Sequence, residues 1–266
     1  SACDFRNPDY AVGVAFADSP EGPFKDMYDK PIFESGYPVI DADVMYDEDS
    51  GKYYLYYSRC CYKHPVKSQV AKWAKKQGIF DEIEESWIYG VELKPDFSGI
   101  IGKPKLLLRP PKKLGGSQDW ENRSVMSHEI NRRWTEGPYC FKEGGLYYML
   151  YSSNHVGGPD YSIGYATSKS PLGPFTKSDD NPIIEKGGKL LAPGHCMALK
   201  DGGRWLIVYH GKTAETRGQR FAFIDEMHVK DGHIKVDGPT FTNPFFPQGF
   251  QCLRTGIIKF SGFANL

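Results

Sequence analysis

The most regular feature of the hydrophobic pattern is a hairpin-like unit that occurs three times. In the middle copy, Trp134–Ser153, a Gly-rich turn at Lys142–Gly145 precedes the unbroken apolar run Tyr147–Tyr151. An apolar run of this length, bounded by turn residues, is typical of a central strand that is buried on both faces. The turn joins this run to the strand before it, so we predict a β-hairpin.

Two further segments, Asp41–Ser58 and His195–His210, repeat the order of polar residue, strand, Gly-containing turn and aromatic strand. Each copy starts with a polar side chain about fifteen positions before its last aromatic residue: Asp41, Glu136 or His195. Copies of one supersecondary unit at one register direct these side chains toward a common axis. This is the arrangement of blades in a β-propeller.

A second repeat relates two outer-strand segments. Asn7–Phe24 and Gly158–Phe175 share the pattern PDY followed by an SP-x-GPF turn when one is shifted by 151 positions onto the other. The later copy follows its own hairpin, whereas the earlier copy begins almost at the first residue. We therefore expect three blades and the tail of a fourth, in a chain that is either a fragment or one whose ring a partner chain or an oligomer completes.

Outside the hairpins the pattern is less regular. It predicts a short helix within Pro65–Phe80, and a loop with one short strand, Lys105–Leu108, over Gly99–Glu121. The polar segment Trp120–Trp134 leads directly to Glu136, so a solvated loop and a substrate-facing loop fit it equally. Further strands are predicted at Ser86–Leu93, Arg220–Val229, Ile234–Val236 and Thr255–Phe260.

Composition narrows the class of protein. With 266 residues, 33 Lys and Arg balance 33 Asp and Glu, which gives no bias toward nucleic acid or anionic membranes. No apolar window approaches the length of a transmembrane helix, and the first residues do not read as a signal peptide, so we expect a mature or trimmed chain. The six cysteines show no CxxC spacing, which argues against zinc and for buried or free thiols.

Two carboxylates that converge at one end of a propeller axis suit general acid–base chemistry, and a flanking pair is the arrangement used for glycoside hydrolysis. Glu136 is the better proton donor, because a buried glutamate beside an apolar strand has a raised pKa. Asp41 would then orient and tune it. The alternative is that both residues only cap turns. His195 fits either a metal ligand or a core histidine, and Arg220 either a sugar contact or a surface ion pair.

At these residues the sequence resembles glycoside hydrolase family 43. The resemblance rests on VIDADVMYDEDSGKYYLYY, TEGPYCFKEGGLYYMLYS, the two SP-x-GPF turns, APGHCMAL, and VYHG followed by RFAFIDEMHVKDGHIKVDGPT. It implies an all-β, five-bladed β-propeller with the N-terminal blade incomplete or absent. Residues 1–266 would form one catalytic domain, in which residues 248–266 close the ring.

The resemblance also implies roles for individual residues. Glu136 would be the general acid, Asp41 the carboxylate that modulates its pKa, and Arg220 a contact of the terminal sugar. His195 would be the axial ligand of a calcium ion, with no organic cofactor. Trp134 and His155 are candidate sugar-stacking or sugar-binding side chains, although each also fits a core position.

The family inverts configuration with a third carboxylate, the general base, near the N-terminus. Asp9 aligns with Asp160 of the outer-strand repeat rather than with a hairpin start, and Asp4 has no better case. We therefore expect the base to lie outside this chain. The resemblance implies an enzyme that releases arabinose or xylose from plant cell-wall glycans, acting outside the cell or in the periplasm. The alternative is a non-catalytic sugar-binding propeller that has lost the base.

Overall fold

The computed structural model describes residues 11–216, 218–241 and 258–259. Within these residues the protein is mainly β-strand, which confirms the predicted all-β class. The two α-helices are α1 (Gln69–Lys76) and α2 (Arg123–Met126), and two 3-10 helices span Ser117–Asn122 and Ala214–Thr216. None of the described helices combines the length and apolar character that crossing a membrane requires.

The strands follow one another in chain order. The first group is β1 (Ala11–Val12), β2 (Ala15–Phe16), β3 (Lys25–Asp26), β4 (Phe33–Glu34), β5 (Val39–Asp47), β6 (Lys52–Arg59), β7 (Glu84–Glu85), β8 (Trp87–Leu93) and β9 (Ile100–Leu108). The second group is β10 (Arg132–Arg133), β11 (Thr135–Glu143), β12 (Leu146–Ser153), β13 (Ser162–Ser168), β14 (Thr176–Lys177), β15 (Leu191–Asp201), β16 (Arg204–Lys212), β17 (Phe221–Lys230), β18 (His233–Asp237) and β19 (Ile258–Lys259).

Three antiparallel sheets contain most of these strands. The first sheet has the order β5-β6-β8-β9, the second β11-β12-β13-β14 and the third β15-β16-β17-β18, with β19 also paired to β17. The first two strands of each sheet are the three predicted hairpins, which are therefore confirmed. Short pairs β1-β4 and β2-β3 precede the first sheet, and β7 pairs in parallel with β10.

The second sheet is packed between the other two. Tyr147, Met149 and Tyr151 of β12 belong to the apolar cluster shared with the first sheet. Tyr148 and Leu150, the alternate residues of the same strand, belong to the cluster shared with the third sheet. Because successive side chains of a strand point to opposite faces, an unbroken apolar run is what a strand between two sheets requires. Face-to-face packing of successive sheets is also how propeller blades are arranged.

Residues 11–34 repeat the outer part of the second sheet. Val12 pairs with Phe33, and the positions 151 residues later, Ile163 and Ile184, form the equivalent bridge. These residues pack on the face of the first sheet that points away from the second sheet. They have the form of the outer strands of a further blade. Five blades, an incomplete N-terminal blade and closure by another chain stay predictions, and most of the proposed closing segment 248–266 lies outside the described residues.

The prediction for Gly99–Glu121 is wrong in part. The short strand expected at Lys105–Leu108 is the end of the nine-residue strand β9, which pairs with β8. Pro104 lies within this strand because β9 is the outermost strand of its sheet and its ladder is irregular between Gly90 and Glu92. An edge strand with a bulge tolerates a residue that lacks a backbone N–H. The helix predicted within Pro65–Phe80 is confirmed as α1.

The segment Trp120–Trp134 is not a solvated loop. Trp120, Glu121, Asn122, Val125 and Arg133 are all buried. The segment crosses between the first and second sheets, and its buried polar side chains form internal contacts, whereas residues 126–129 are exposed.

A buried ion network fixes this crossing segment. Arg133 forms an ion pair with Glu85, which also accepts from Arg109 at 2.8 Å. Lys177 Nζ lies 2.5 Å from Glu121 Oε1, and both of these side chains are almost fully enclosed. Each buried charge therefore has an opposite charge in contact with it, as burial of ionised groups requires. The network lies directly before β11, whose second residue is Glu136.

Candidate active site

Each hairpin has a β-bulge at the same place in its first strand. The pairing shifts between Ile40 and Asp43, between Glu136 and Tyr139, and between Gly194 and Met197. The first residue inside each bulge has a left-handed backbone: φ is +56° at Asp41, +60° at Gly137 and +47° at His195. Bulges of this kind re-aim side chains and are common next to active sites.

The bulges correct the predicted register of Glu136. Asp41 and His195 occupy equivalent positions, but the equivalent residue of the second hairpin is Gly137, and Glu136 precedes it by one. The three spacings to the last aromatic residue are 16, 15 and 14 positions, so a spacing of about fifteen concealed a shift of one residue, and the first hairpin also has the longer turn. The three segments nevertheless meet at one place.

Contacts between the hairpins bring these residues together. His195 Nδ1 lies 3.7 Å from Asp41 Oδ1. The N–H of Gly137 donates to Ser58 Oγ of the first sheet at 3.1 Å. The N–H of His195 donates to Ser152 Oγ of the second sheet at 2.7 Å. Each bulge is thus held by the neighbouring sheet.

Gly137 is required at its position for two reasons. Its backbone is left-handed, which side chains rarely adopt. In addition, a Cβ atom there would lie 3.3 Å from His195 Nδ1. The glycine that follows Glu136 therefore leaves space for the histidine of the next hairpin.

Glu136 is a buried carboxyl group with 6% of its surface exposed. Tyr161 donates its hydroxyl proton to Glu136 Oε1 at 2.9 Å. Burial raises the pKa of Glu136 well above its ordinary value, the charge of Asp41 raises it further, and the hydrogen bond from Tyr161 opposes both effects. This environment therefore favours the protonated form of Glu136.

Asp41 is the second member of this carboxyl pair. Burial raises its pKa, while His195, the N–H of Gly137 and Arg220 lower it, in that order. Two adjacent carboxyl groups titrate as a pair, and the environment favours the charge on one of them. The charges of His195 and Arg220 favour the ionised form of Asp41, whereas no positive charge is among the main effects on Glu136. We therefore assign the negative charge to Asp41 and the proton to Glu136.

The remaining predicted residues lie around this pair. Arg220 is exposed, directly before β17, and close enough to Asp41 to lower its pKa. Trp134 is 8% exposed and packs with Cys60 and Cys61. Its ring is stacked on His155 at 5.2 Å between centroids. Burial of Trp134 does not fit direct stacking on a sugar, whereas His155 is partly exposed and held by Glu129 at 2.6 Å.

The described residues do not form a calcium site by themselves. Calcium prefers six to eight oxygen ligands. No group of three His, Cys, Asp or Glu side chains within the described ranges converges on one point that could hold a metal ion. His195 offers a nitrogen, and its nearest carboxylate is Asp41, which belongs to the pair above. Calcium at His195 stays a prediction, and the chemistry below does not use it.

Several residues of the site were not predicted. Ser58 and Ser152 stand at the same place after the aromatic run of their hairpins, a signal that the sequence did contain. Tyr161 is the tyrosine of the PDY motif in the outer-strand repeat. The sequence showed that this motif is repeated, but not that its tyrosine contacts Glu136.

Asp43 is a further carboxyl group beside the pair. Burial raises its pKa to about 6, and the N–H groups of Cys140 and Val44 and the charge of His195 oppose this. Its Oδ2 is buried and accepts no hydrogen bond from the described residues. The site thus contains three acidic side chains, two of them two residues apart in one strand.

Comparison with known proteins shows which family has this arrangement. Residues 1–234 match the profile described as glycosyl hydrolases family 43. The chain belongs to this family. The match covers the three hairpins and the residues gathered at their bulges, and it confirms the resemblance given by the sequence motifs.

Solved structures of family 43 share the fold. The chain superposes on a thermostable family-43 glycoside hydrolase with a TM-score of 0.71 and 34% identity, over 86% of this chain and 67% of that one. It superposes on an endo-1,4-beta-xylanase from Bacteroides thetaiotaomicron with a TM-score of 0.63 and 25% identity, over 86% and 68% of the two chains.

Curated relatives are more distant. An arabinoxylan arabinofuranohydrolase from Bacillus subtilis is 26% identical, over 87% of this chain and 42% of the relative. A beta-D-galactofuranosidase, xynD, from Aspergillus niger is 25% identical, over 83% and 53%. The chain spans about half the length of the curated relatives it matches.

Asp4 and Asp9, which were considered for the general base, lie outside the described residues. The expectation that the base is not in this chain therefore stays a prediction. The arrangement that the structure does describe is a pair of buried carboxyl groups, with arginine and histidine acting on Asp41 and burial favouring the protonated form of Glu136. Such a pair can deliver a proton to a bound substrate.

Proposed function

We propose that this chain supplies the acid side of an inverting glycosidase site that releases arabinose or xylose from plant cell-wall polysaccharides or oligosaccharides. The observation that carries the proposal is the state of Glu136. It is buried, next to Asp41, and its pKa is raised well above the ordinary value. A carboxyl group that keeps its proton near neutral pH is what a general acid needs.

In the proposed reaction Glu136 gives its proton to the glycosidic oxygen as the bond from that oxygen to the anomeric carbon breaks. A water molecule attacks the anomeric carbon from the opposite face and loses a proton to a third carboxylate. The product has inverted configuration. The residue that accepts the proton from water is not assigned among the described residues.

Asp41 has a supporting role in this proposal. Its negative charge raises the pKa of Glu136, so the acid stays protonated until the substrate takes the proton. His195 and Arg220 in turn favour the charged form of Asp41. The guanidinium of Arg220 also has the donor geometry to bind a hydroxyl group of the terminal sugar.

The identity of the sugar is the least constrained part of the proposal. The relatives include an arabinoxylan arabinofuranohydrolase and proteins named for both xylosidase and arabinosidase activity. These names support a pentose-containing substrate. A plant polysaccharide substrate supports an extracellular or periplasmic location.

Turnover of a pentose disaccharide, and of p-nitrophenyl α-L-arabinofuranoside and β-D-xyloside, tests the proposal. Removal of a general acid lowers the rate by roughly 10²–10⁴-fold when the leaving group needs the proton, so Glu136→Ala should abolish most of the activity on a pentose disaccharide and less of the activity on the aryl glycosides. Glu143→Ala is a matched control, because Glu143 lies on the same strand and pairs with Lys200 at the surface. Loss of activity in both variants, or in neither, contradicts the proposed role. Sugar binding without turnover by the folded wild-type chain would instead favour a non-catalytic sugar-binding propeller.

A further inference from the structure

Tyr161 connects the proposed acid to the third sheet. Its hydroxyl donates to Glu136 Oε1 at 2.9 Å, and the side chain is buried. Its ring lies parallel to the ring of His210 in β16, with 5.7 Å between the centroids and 12° between the planes. This separation and angle are those of an offset stack of two rings.

The backbone at Gly194 is a second contact of Tyr161. A Cβ atom added to Gly194 would lie 2.0 Å from Cε1 of the Tyr161 ring. No side chain fits in that space, so the ring rests directly on the main chain. Gly194 and His210 are partners across the β15-β16 ladder. One paired position of the third sheet therefore holds the tyrosine through two contacts.

His210 supports Tyr161 with its ring and not with its nitrogens. Both ring nitrogens are buried and make no hydrogen bond to any described residue. Burial, and after it the charges of Arg220 and His195, lower the pKa of His210 to about 3. The imidazole is thus neutral at the pH of any ordinary assay.

We propose that Tyr161, held by the main chain at Gly194 and the ring of His210, is a positioning residue that fixes which oxygen of Glu136 delivers the proton. Oε1 accepts the hydrogen bond from Tyr161, so the acidic proton is carried by Oε2. The held tyrosine thereby sets the direction in which the acid acts. This inference rests on the proposed role of Glu136 as general acid.

Tyr161→Phe tests this positioning role through the leaving group of the substrate. When a disaccharide is cleaved, the sugar that leaves needs the proton of the acid, whereas 2,4-dinitrophenolate leaves without a proton. We expect kcat/KM for a pentose disaccharide to fall about tenfold, the effect of one hydrogen bond, and kcat/KM for the dinitrophenyl glycoside to change by less than about twofold. An equal loss with both substrates, or no loss with either, overturns the proposal.

Tyr209→Phe is the matched control. It removes the same hydroxyl group from a buried tyrosine, which bonds Asp225 at 2.6 Å and is stacked on Phe223. It has no contact with the acid, so the ratio of the two rates should equal that of the wild type. If Tyr209→Phe changes the ratio of the two kcat/KM values as much as Tyr161→Phe does, the proposal is overturned.

Two changes at His210 separate its ring from its nitrogens. His210→Phe keeps a stacked ring and should keep the wild-type ratio of rates. His210→Ala removes the ring and should shift the ratio in the direction of Tyr161→Phe. If His210→Phe is as damaging as His210→Ala, the stacking role is wrong. Gly194→Ala displaces the tyrosine at its other contact and gives the same test if His210→Ala does not fold.

A measurement without turnover separates this inference from the proposed function. The carboxyl ¹³C signal of Glu136, assigned with Glu136→Gln, can be titrated in the free protein. The groups that act on Glu136 are Asp41, Tyr161 and Cys60. Because the tyrosine hydrogen bond favours the carboxylate, Tyr161→Phe should raise the pKa of Glu136 even in a chain that hydrolyses nothing. An unchanged titration overturns the positioning role, whereas absent turnover with a raised pKa overturns only the proposed function.

Discussion

Lys177 is the residue whose loss should most affect the support behind the acid strand. Its ammonium group contacts both carboxylate oxygens of Glu121, at 2.5 and 2.6 Å, and donates to the carbonyl of Arg109 at 2.8 Å. Only 13% of the Lys177 side chain is exposed, and Glu121 is fully enclosed. Lys177→Met keeps most of the volume and removes the charge, which leaves the carboxylate of Glu121 without its cation.

The expected loss in the free energy of unfolding depends on the hydrogen bonds that Glu121 keeps. Removal of one partner of a buried ion pair destabilises proteins by about 3–5 kcal/mol. Glu121 keeps hydrogen bonds from Tyr151 at 2.8 Å and from Thr135 at 3.3 Å. We therefore expect the lower end, about 3 kcal/mol. At roughly 2–4 °C per kcal/mol for a chain of this size, Tm should fall by roughly 6–12 °C.

Thermal and urea unfolding of four variants, Lys177→Met, Glu121→Gln, the two combined and Lys200→Met, check this reasoning. Glu121→Gln together with Lys177→Met should recover much of the lost free energy of unfolding, because no unpaired charge remains. Lys200→Met is the matched control at the surface pair with Glu143, and should cost at most about 1 kcal/mol. If Lys177→Met is no worse than Lys200→Met, or if the double variant is the sum of its parts, the buried pair does not have the assigned role.

Two further predictions concern the bulge of the second hairpin. Burial and Asp41 raise the pKa of Glu136 in the folded chain, so the folded chain binds this proton more tightly than the unfolded chain. The free energy of unfolding therefore falls as the pH rises above the ordinary glutamate pKa. Glu136→Gln removes this pH-dependent loss of stability, so the Tm of the variant should exceed the wild-type Tm at pH 8 and approach it at pH 4. A difference between the two Tm values that grows toward pH 4 contradicts the assigned pKa. Gly137→Ala should reduce the free energy of unfolding in urea by about 1–2 kcal/mol from the left-handed backbone, and further through its contact with His195. Gly144→Ala has the same backbone strain with no atom within 4 Å, so an equal cost in both variants would show that the His195 contact is unimportant.

The hairpins and their order could be predicted because they leave a direct pattern in the sequence. The run Tyr147–Tyr151 is apolar at every position since alternate side chains pack against different sheets. Asp41 and Glu136 were found because a carboxylate before a buried strand is rare. The 151-residue repeat likewise follows from a real structural repeat, the strand pairs of residues 11–34 and 162–185.

Other parts depend on contacts between distant segments, which no local pattern shows. Tyr161 reaches Glu136 only because β13 pairs with β12, and His210 reaches Tyr161 only because the third sheet packs against the second. The polar segment Trp120–Trp134 fitted a solvated loop and a substrate-facing loop equally. Its charges are buried by pairing with Glu85 and Lys177, and hydropathy does not detect such pairing.

The exact register of the site was hidden for a related reason. A bulge adds one residue to a strand, and hairpin turns of different length conceal where it occurs. The left-handed residues Asp41 and His195 could not be distinguished from ordinary strand residues, because aspartate and histidine also occur throughout extended backbone. Only Gly137 signalled such a conformation.

The most direct test of the central claim is the pKa of Glu136 itself, followed by the ¹³C signal of its carboxyl group in the wild type and in Asp41→Asn. We predict a pKa well above the ordinary glutamate value in the wild type, and a lower pKa once the charge of Asp41 is removed. An ordinary pKa in the wild type, or a pKa that does not fall in Asp41→Asn, would contradict the assignment of Glu136 as the protonated member of the pair.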